Sequence, residues 1–482
     1  MQKLLSLGPK EILSGMANGE HMSNGVFSGM KNINLFTIPD RYGCLTTTYN
    51  YRNAGEAFDG MDKVTDVVEY DDPDFDRWSP TFYSYSRDGS FANLGNMLNP
   101  HQINEIDSGN KGLRSGSSGM VVYNNDIYLF SKDDIAKYDV DDGTMDNEWG
   151  SGLDKKLNDW NGIYDSWKSP FVYNGYLWFC NGNYLGYYNG QTLETEYFQL
   201  PFGNNAVDIA EYNGMLAILC VDLRHFSSTL VLYDGFSPNA SYIHSKNGLY
   251  YSLSNFRREL VLGGADVVFF NSGNFQSLYM NKNYPISEPN KMQHRDGILY
   301  WADGKKIMAY GSRVNTANNV FFSPYEAATE ELSTFKIGFA VDAIFSADQI
   351  GTPESVRAHY SYYAYLLDRE STNPYTGEAV TINFDVGNAS IRKIGVSHSG
   401  IDEVNTEKYV NKITVFRDDL YDSVLDSDSV EMDFVNSENV GKTYSEKQTI
   451  MKPARFIKLK IELKNVFINR IDIYGTPTDR TN

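Results

Sequence analysis

The segment YDVDDGTMDNEW (138–149) sets Asp139, Asp141, Asp142 and Asp146 around Gly143. Hard oxygen donors at alternate positions are what a calcium ion takes. The glycine stands at the wrong place for an EF-hand loop, and no glutamate closes the loop at the required distance. The segment therefore reads as an acidic loop between strands. YDDPDFDRW (70–78) carries four aspartates ahead of Arg77 and Trp78, and the same reading applies.

Other chemistry is as sparse. His21, His101, His225, His244, His294, His359 and His398 lie far apart with no metal-ligand spacing, and each reads as a surface or turn residue. There is no HExxH, GxSxG, P-loop or GxGxxG pattern. SRDGSF (86–91) is a compressed single copy of the Ser-x-Asp-x-Gly-aromatic box of sialidases. Those enzymes also need an arginine triad and a Tyr/Glu pair, which no set of residues supplies, so Asp88-Gly89 reads as a hairpin turn. The expectation is a chain that is not an enzyme, with no catalytic, cofactor-binding or metal residues and no cofactor.

The aromatic residues Trp160, Trp167, Tyr173, Tyr176, Trp178, Tyr184, Tyr187 and Tyr188 admit a sugar-stacking platform. Alternation along FVYNGYLWF (171–179), however, turns about half of them inward, which favours core packing. Cys44, Cys180 and Cys220 are too few and too scattered for a disulfide framework or a CxxC metal site. Cys180 and Cys220 lie in apolar runs and read as buried thiols, which points to a reducing compartment. The N-terminus is too polar for a signal-peptide core. No stretch approaches the roughly 20 apolar residues of a membrane span, so a soluble, non-secreted protein is expected.

The 482 residues are 41% hydrophobic and 14% aromatic, with a net charge of −20. That can bury a large core, and 35 tyrosines with 27 phenylalanines favour strands. The acidic balance argues against a surface built for nucleic-acid phosphates or anionic lipid.

What would position such residues is a repeat. FVYNGYLWFC reads as strand, Asn-Gly turn, strand, because both turn residues tolerate the positive φ of a type I′ hairpin. First turns recur at Asp88, Asn124, Asn174, Asn213, near Asn255 and at Asp296, with intervals of 36, 50, 39, 42 and 41. Short antiparallel strands at a period near 40 define β-propeller blades. Six are clear, and LSTFKIGFAVDAIFSAD (332–348) supplies a degenerate seventh. Residues 1–60 read as an extended N-terminal arm, either a strand that closes the propeller or a segment that packs on a neighbouring subunit. The propeller takes 61–351. Residues 352–482 read as a connection (352–378) followed by a C-terminal β-sandwich with SVEMDFVN (429–436) among its strands, the lysines of FIKLKIEL on a solvated face and the acidic run DDLYDSVLDSDSVEMD (418–433) as an exposed loop. The fold class is all-β.

GMKNINLFTIPDRYGCLTT (29–47) resembles the G-I-N-x-F-x-x-P-G-x-L opening of tail hub or nozzle proteins of short-tailed bacteriophages, with Asp40 where that pattern has glycine. PARFIKLKIELKNVFINRIDIYG (453–475) is similar to the last strands of that family, and also to the end of discoidin-like sandwiches. The resemblance implies a structural virion protein located in the phage tail and made in the host cytoplasm. It implies a homo-oligomeric ring, typically a hexamer, below the portal-adaptor complex. Other tail proteins would be its partners, and DNA would pass transiently through the channel during genome ejection without a membrane partner. An acidic lumen would let DNA slide. The competing expectations are a carbohydrate-binding or glycosidase-type propeller for host-surface recognition, and a plain scaffold for protein partners.

Overall fold

The computed structural model describes residues 1–17, 25–36, 42–47, 51–53, 64–70, 81–86, 91–96, 104–106, 117–131, 134–150, 152–153, 157, 168–201, 205–237, 239–240, 242–282, 292–295, 297–313, 318–326, 335–343, 358–366, 376–400, 409–418, 426–434, 443–464 and 466–478. These residues form thirty-eight strands and one four-residue helix, Pro9–Ile12. The chain divides into two compact units, one of 51–305 and 327–371, the other of 1–50, 306–326 and 372–482.

The fold is a β-propeller. Six four-stranded antiparallel sheets follow one another as blades 1 to 6: 64–106, 117–146, 171–199, 205–247, 250–280 and 293–326, each ordered as in the chain. The first strands of successive blades lie side by side. Strand Phe335–Ala343 stands beside the first strands of both blade 6 and blade 1, and so closes the ring. It opens a three-stranded sheet with Ala358–Leu366 and, in parallel, Tyr51–Asn53. Residues 51–53 thus join the closing sheet, and part of the expected 352–378 connection is a strand of that sheet.

Turn chemistry sets the blades. The first hairpins of blades 2, 3 and 4 turn at Asn124-Asn125, Asn174-Gly175 and Asn213-Gly214, with φ of 51 and 63, 50 and 76, and 51 and 74 degrees. These are the two consecutive left-handed residues of a type I′ turn, which Asn and Gly adopt at low cost. In blade 5 the turn is Arg257-Arg258, two residues beyond Asn255. Blade 1 departs from the expected register. Asp88 and Asp296 lie outside the described residues, but position 88 falls between the second and third strands, Thr81–Ser86 and Phe91–Asn96. It therefore belongs to the second hairpin, and the short first interval of 36 compares unlike turns.

Side-chain alternation fills the wedges between blades. Along Tyr176–Asn181, Leu177 and Phe179 pack with Tyr123, Tyr128, Phe130 and Ile135 of blade 2. Trp178 and Cys180 pack with Ile209, Ile218, Cys220 and Tyr233 of blade 4. Both faces of the strand are buried, so it reads as a continuous apolar run.

Near the start of the first strands of blades 1, 2, 4 and 5, the pairing register shifts at Asp66, Gly119, Asp208 and Ser252. These positions bind each blade to the next. Asp66 Oδ2 accepts the Met120 N–H at 2.8 Å, Asp208 Oδ2 accepts that of Leu253 at 2.7 Å, and Ser252 Oγ accepts that of Met292 at 2.7 Å. A Cβ on Gly119 would lie 2.5 Å from Pro170 Cδ, so close blade approach replaces a side-chain bond there. Ser169 Oγ donates to the Val207 carbonyl at 2.8 Å between blades 3 and 4.

The other unit holds, besides residues 306–326 of blade 6, a nine-stranded sheet turned on one long strand, Phe384–Gly400. Its start pairs with Ala454–Lys464; from Ala389 onward it pairs with Val466–Pro477. The switch falls at Gly387 and Asn388, with φ of 69 and 58 degrees, a kink that re-aims a strand at a sandwich corner. On one side lie Tyr409–Asp418 with Asp426–Phe434, Ala454–Lys464, Thr376–Thr381 and Phe27–Lys31; on the other lie Thr443–Gln448, Val466–Pro477 and Gln2–Leu7. Ile457, Leu459, Ile461 and Leu463 are buried, while Lys458 and Lys460 are partly solvated. Three sequence readings change. Gln2–Leu7 and Phe27–Lys31, read as parts of an arm, complete this sheet. Residues 426–428, read as part of an acidic loop, belong with 429–434 to one strand, Asp426–Phe434, paired with Tyr409–Asp418. His398, read as a surface or turn residue, is buried, and burial lowers its pKa to about 4.

Candidate functional site

The outer rim of blades 3 and 4 gathers the aromatic residues that the inter-blade wedge leaves partly open. Pairing aligns Phe171, Trp178, Tyr187 and Glu194 in one row across blade 3. Trp178 is buried, and its indole N–H donates to the Tyr173 carbonyl at 3.3 Å. Tyr187 meets Tyr197 edge-on, with centroids 4.8 Å apart at 84°, and Tyr176 at 5.5 Å and 69°. The Tyr187 hydroxyl donates to Glu194 Oε1 at 3.2 Å; burial and that carboxylate both push the phenol up. Behind them Phe198 stacks on Tyr233 at 4.1 Å. Tyr233 is pushed up chiefly by burial, then by its hydrogen bond with Tyr197, so these phenols are neutral hydrogen-bonding groups.

Blade 4 continues the rim. Asp234 Oδ1 accepts the N–H groups of Phe236 and Ser237 at 2.9 and 2.8 Å, and Oδ2 accepts the Ser237 hydroxyl. This turn projects Phe236, 72% exposed, into solvent. The outermost strand, Tyr242–Asn247, pairs with Ser227–Tyr233 and has no strand on its other edge among the described residues. It carries Tyr242 and Ile243, 58% and 52% exposed, and Phe226 stands 70% exposed in the turn before Ser227. An open strand edge offers backbone donors and acceptors, and four exposed apolar side chains beside it favour a protein surface as occupant. The rings of blade 3 pack edge to face against one another.

Of the aromatic residues singled out from sequence, Trp178 and Tyr188 are buried, and Tyr173, Tyr176, Tyr184 and Tyr187 are half-buried. Trp160 and Trp167 lie outside the described residues. Asp139 Oδ1 accepts the Asp142 N–H at 3.1 Å and Asp146 Oδ1 that of Glu148 at 3.0 Å, so these carboxylates cap turns. Among the described residues no three His, Cys, Asp or Glu side chains are grouped to hold a metal. The aspartates of 71–76 and residues 87–90 lie outside the described residues. Cys44, Cys180 and Cys220 form no disulfide and are buried, and burial pushes the Cys220 thiol up. No described helix is long and apolar enough to cross a membrane. Sequence reasoning missed Phe226, Phe236, Tyr242 and Ile243, whose types look the same in a core strand as on a rim.

Six blades around a closed ring of first strands define a propeller-class protein. No family model matches the chain, and no curated protein matches it in sequence. Among solved structures, it is similar to PorZ, a surface component of the type-IX secretion system of Porphyromonas gingivalis, at 12% identity and a TM-score of 0.38 over 73% of this chain. It is also similar to the extracellular domain of the putative one-component system BT4673 of B. thetaiotaomicron, at 9% identity and a TM-score of 0.39 over 92%. A luciferin-regenerating enzyme matches at 10% identity and a TM-score of 0.31 over 53% of this chain and 93% of its own. The chain spans 44% and 62% of the lengths of the first two.

Proposed function

We propose that the chain is a structural assembly protein, and specifically a tail hub or nozzle subunit. Its copies would form a ring below a portal-adaptor complex, around the channel through which DNA leaves. The observation that carries the assembly reading is the open outer strand of blade 4, with Phe226, Phe236, Tyr242 and Ile243 exposed around it. A monomer that never meets a partner gains nothing from such an edge, which invites strand addition. The hub identity rests on the resemblance of residues 29–47 and 453–475, and the charge of −20 suits a channel through which DNA slides.

The test is mass measurement of the purified chain, alone and with portal-adaptor rings, together with negative-stain imaging. Closed rings are expected, and Tyr242→Ser with Ile243→Ser should abolish them while leaving tryptophan fluorescence unchanged. A persistent monomer that binds no tail component would sink the proposal.

A further inference from the structure

The sandwich-like unit holds a cavity of 420 Å³ lined by Lys31, Thr376, Gly377, Glu378, Lys412, Glu462 and Leu463. Strand register explains its lining. Lys31 stands opposite Glu378, Glu378 opposite Glu462, Glu462 opposite Lys412 and Lys412 opposite Glu431, so one row crosses five strands. Neighbouring strands lie about 4.8 Å apart, which spaces these positions along the row at that interval. Two like charges directly opposite each other on a sheet are unfavourable. Here a single lysine serves both, with Lys460 Nζ at 2.9 Å from Glu378 and 3.3 Å from Glu462. At one end Lys31 reaches Glu326 at 3.7 Å, a carboxylate that Lys306 also meets at 3.3 Å. Toward the other end, Lys412 has no ion pair among the described residues.

Lys31, Lys306, Lys412 and Lys460 stand against Glu326, Glu378 and Glu462, so neither sign dominates. A cation would meet the flanking lysines and an anion the paired glutamates. The cavity sets two groups that only accept, Glu378 and Glu462, between two that only donate, Lys31 and Lys412. Hydroxyl groups match both kinds, since each donates and accepts. We infer that this cavity binds a neutral, polyhydroxylated ligand, a saccharide ring whose hydroxyls donate to Glu378 and Glu462 and accept from Lys31 and Lys412.

This site is separate from the blade 4 rim, so a monomer that binds sugar, or a ring that does not, distinguishes the two proposals. The test applies an array of neutral and acidic oligosaccharides to the full chain, followed by calorimetric titration of retained neutral sugars. Glu462→Gln and Lys412→Met are compared with the unmodified chain at matched melting temperature. Retention of a neutral oligosaccharide is expected, with binding at least tenfold weaker in each variant and unchanged in Tyr242→Ser. Retention of no neutral sugar, retention of acidic sugars alone, or binding by the variants as tight as that of the unmodified chain would overturn the assignment.

Discussion

The two units solve the same burial problem over different chain distances. In the propeller, blade 3 buries Trp178 and Phe179 against blades that immediately precede and follow it. In the sandwich-like unit the contacts join the two ends of the chain: Ser6 Oγ donates to Asp472 Oδ1 at 2.6 Å across 466 positions. Nearby contacts are closed by short loops at low entropic cost, whereas distant ones require most of the chain to be in place. The units also differ in titration. His398, the buried histidine among the described residues, sits in the sandwich-like unit. All six tryptophans (Trp78, Trp149, Trp160, Trp167, Trp178 and Trp301) fall within 51–305. Tryptophan fluorescence therefore reads one unit alone.

The strongest way to break the comparison is to remove a wedge side chain. Phe179 is fully buried, contacts Phe130 at a centroid distance of 5.2 Å and covers Gly186, where a Cβ would lie 2.3 Å from its ring. Phe179→Ala leaves a cavity shared by two blades and should cost about 4 kcal/mol, read as an earlier fluorescence transition in denaturant. A loss below about 1 kcal/mol would mean that the wedge does not carry the propeller.

Acid should separate the units in the other direction. His398 has its pKa lowered from 6.5 to about 4 by burial, so the folded state holds fewer protons than the unfolded chain between those values. Its contribution is intact above pH 6.5 and declines as pH falls toward 4, by roughly 3 kcal/mol at 1.36 kcal/mol per unit. Burial also pushes Asp472 up, but hydrogen bonds from Ser6, Lys3 and Arg470 outweigh it and hold the carboxyl below its ordinary 3.8. That stability is present above about pH 4 and is lost as pH falls through the lowered value. Amide protection factors in 389–400 and 466–477, referred to intrinsic exchange at each pH, should therefore fall between pH 6.5 and 4 while tryptophan fluorescence holds steady. His398→Gln should flatten that part of the profile. A fluorescence change that tracks the exchange would join the two units into one cooperative transition.

The inter-blade belt gives a smaller effect. Asp208 is buried and accepts from Ile209 at 3.0 Å and Leu253 at 2.7 Å. Asp208→Ala leaves a buried N–H without its acceptor and should cost roughly 2 kcal/mol, read in the same fluorescence transition. An unchanged midpoint would remove the belt from the forces that hold blade 4 to blade 5.

Legibility followed the same division. Asn124, Asn174 and Asn213 announced hairpins because a type I′ turn is written in two adjacent residues. The belt was not legible: Asp66, Gly119, Asp208 and Ser252 are different residue types, and their partners are backbone groups of the next blade. Nor was the pairing of Gln2–Leu7 with Val466–Pro477, since nothing within a strand names a partner more than 450 positions away. The rim strand SYIHSKN has the alternation of many strands, and only its outermost place in blade 4 exposes Tyr242 and Ile243.

The smallest prediction compares one backbone conformation in both settings. Asn213 and Asn388 have φ of 51 and 58 degrees, each beside a glycine that is also left-handed. Alanine at either position pays the same left-handed penalty, about 1 kcal/mol. At Asn213 the strain stays within a two-residue hairpin whose strands are already fixed by seven paired positions. At Asn388 the kink decides where Phe384–Gly400 leaves one partner strand for another, and the Asn388 carbonyl accepts both the N–H and the hydroxyl of Thr478. Asn213→Ala should therefore lower stability by about 1 kcal/mol in the fluorescence transition and leave amide exchange elsewhere unchanged. Asn388→Ala should lose at least as much and raise exchange across 466–477. Equal, local effects at the two sites would show that the strand switch is held by its pairing alone and not by the kink.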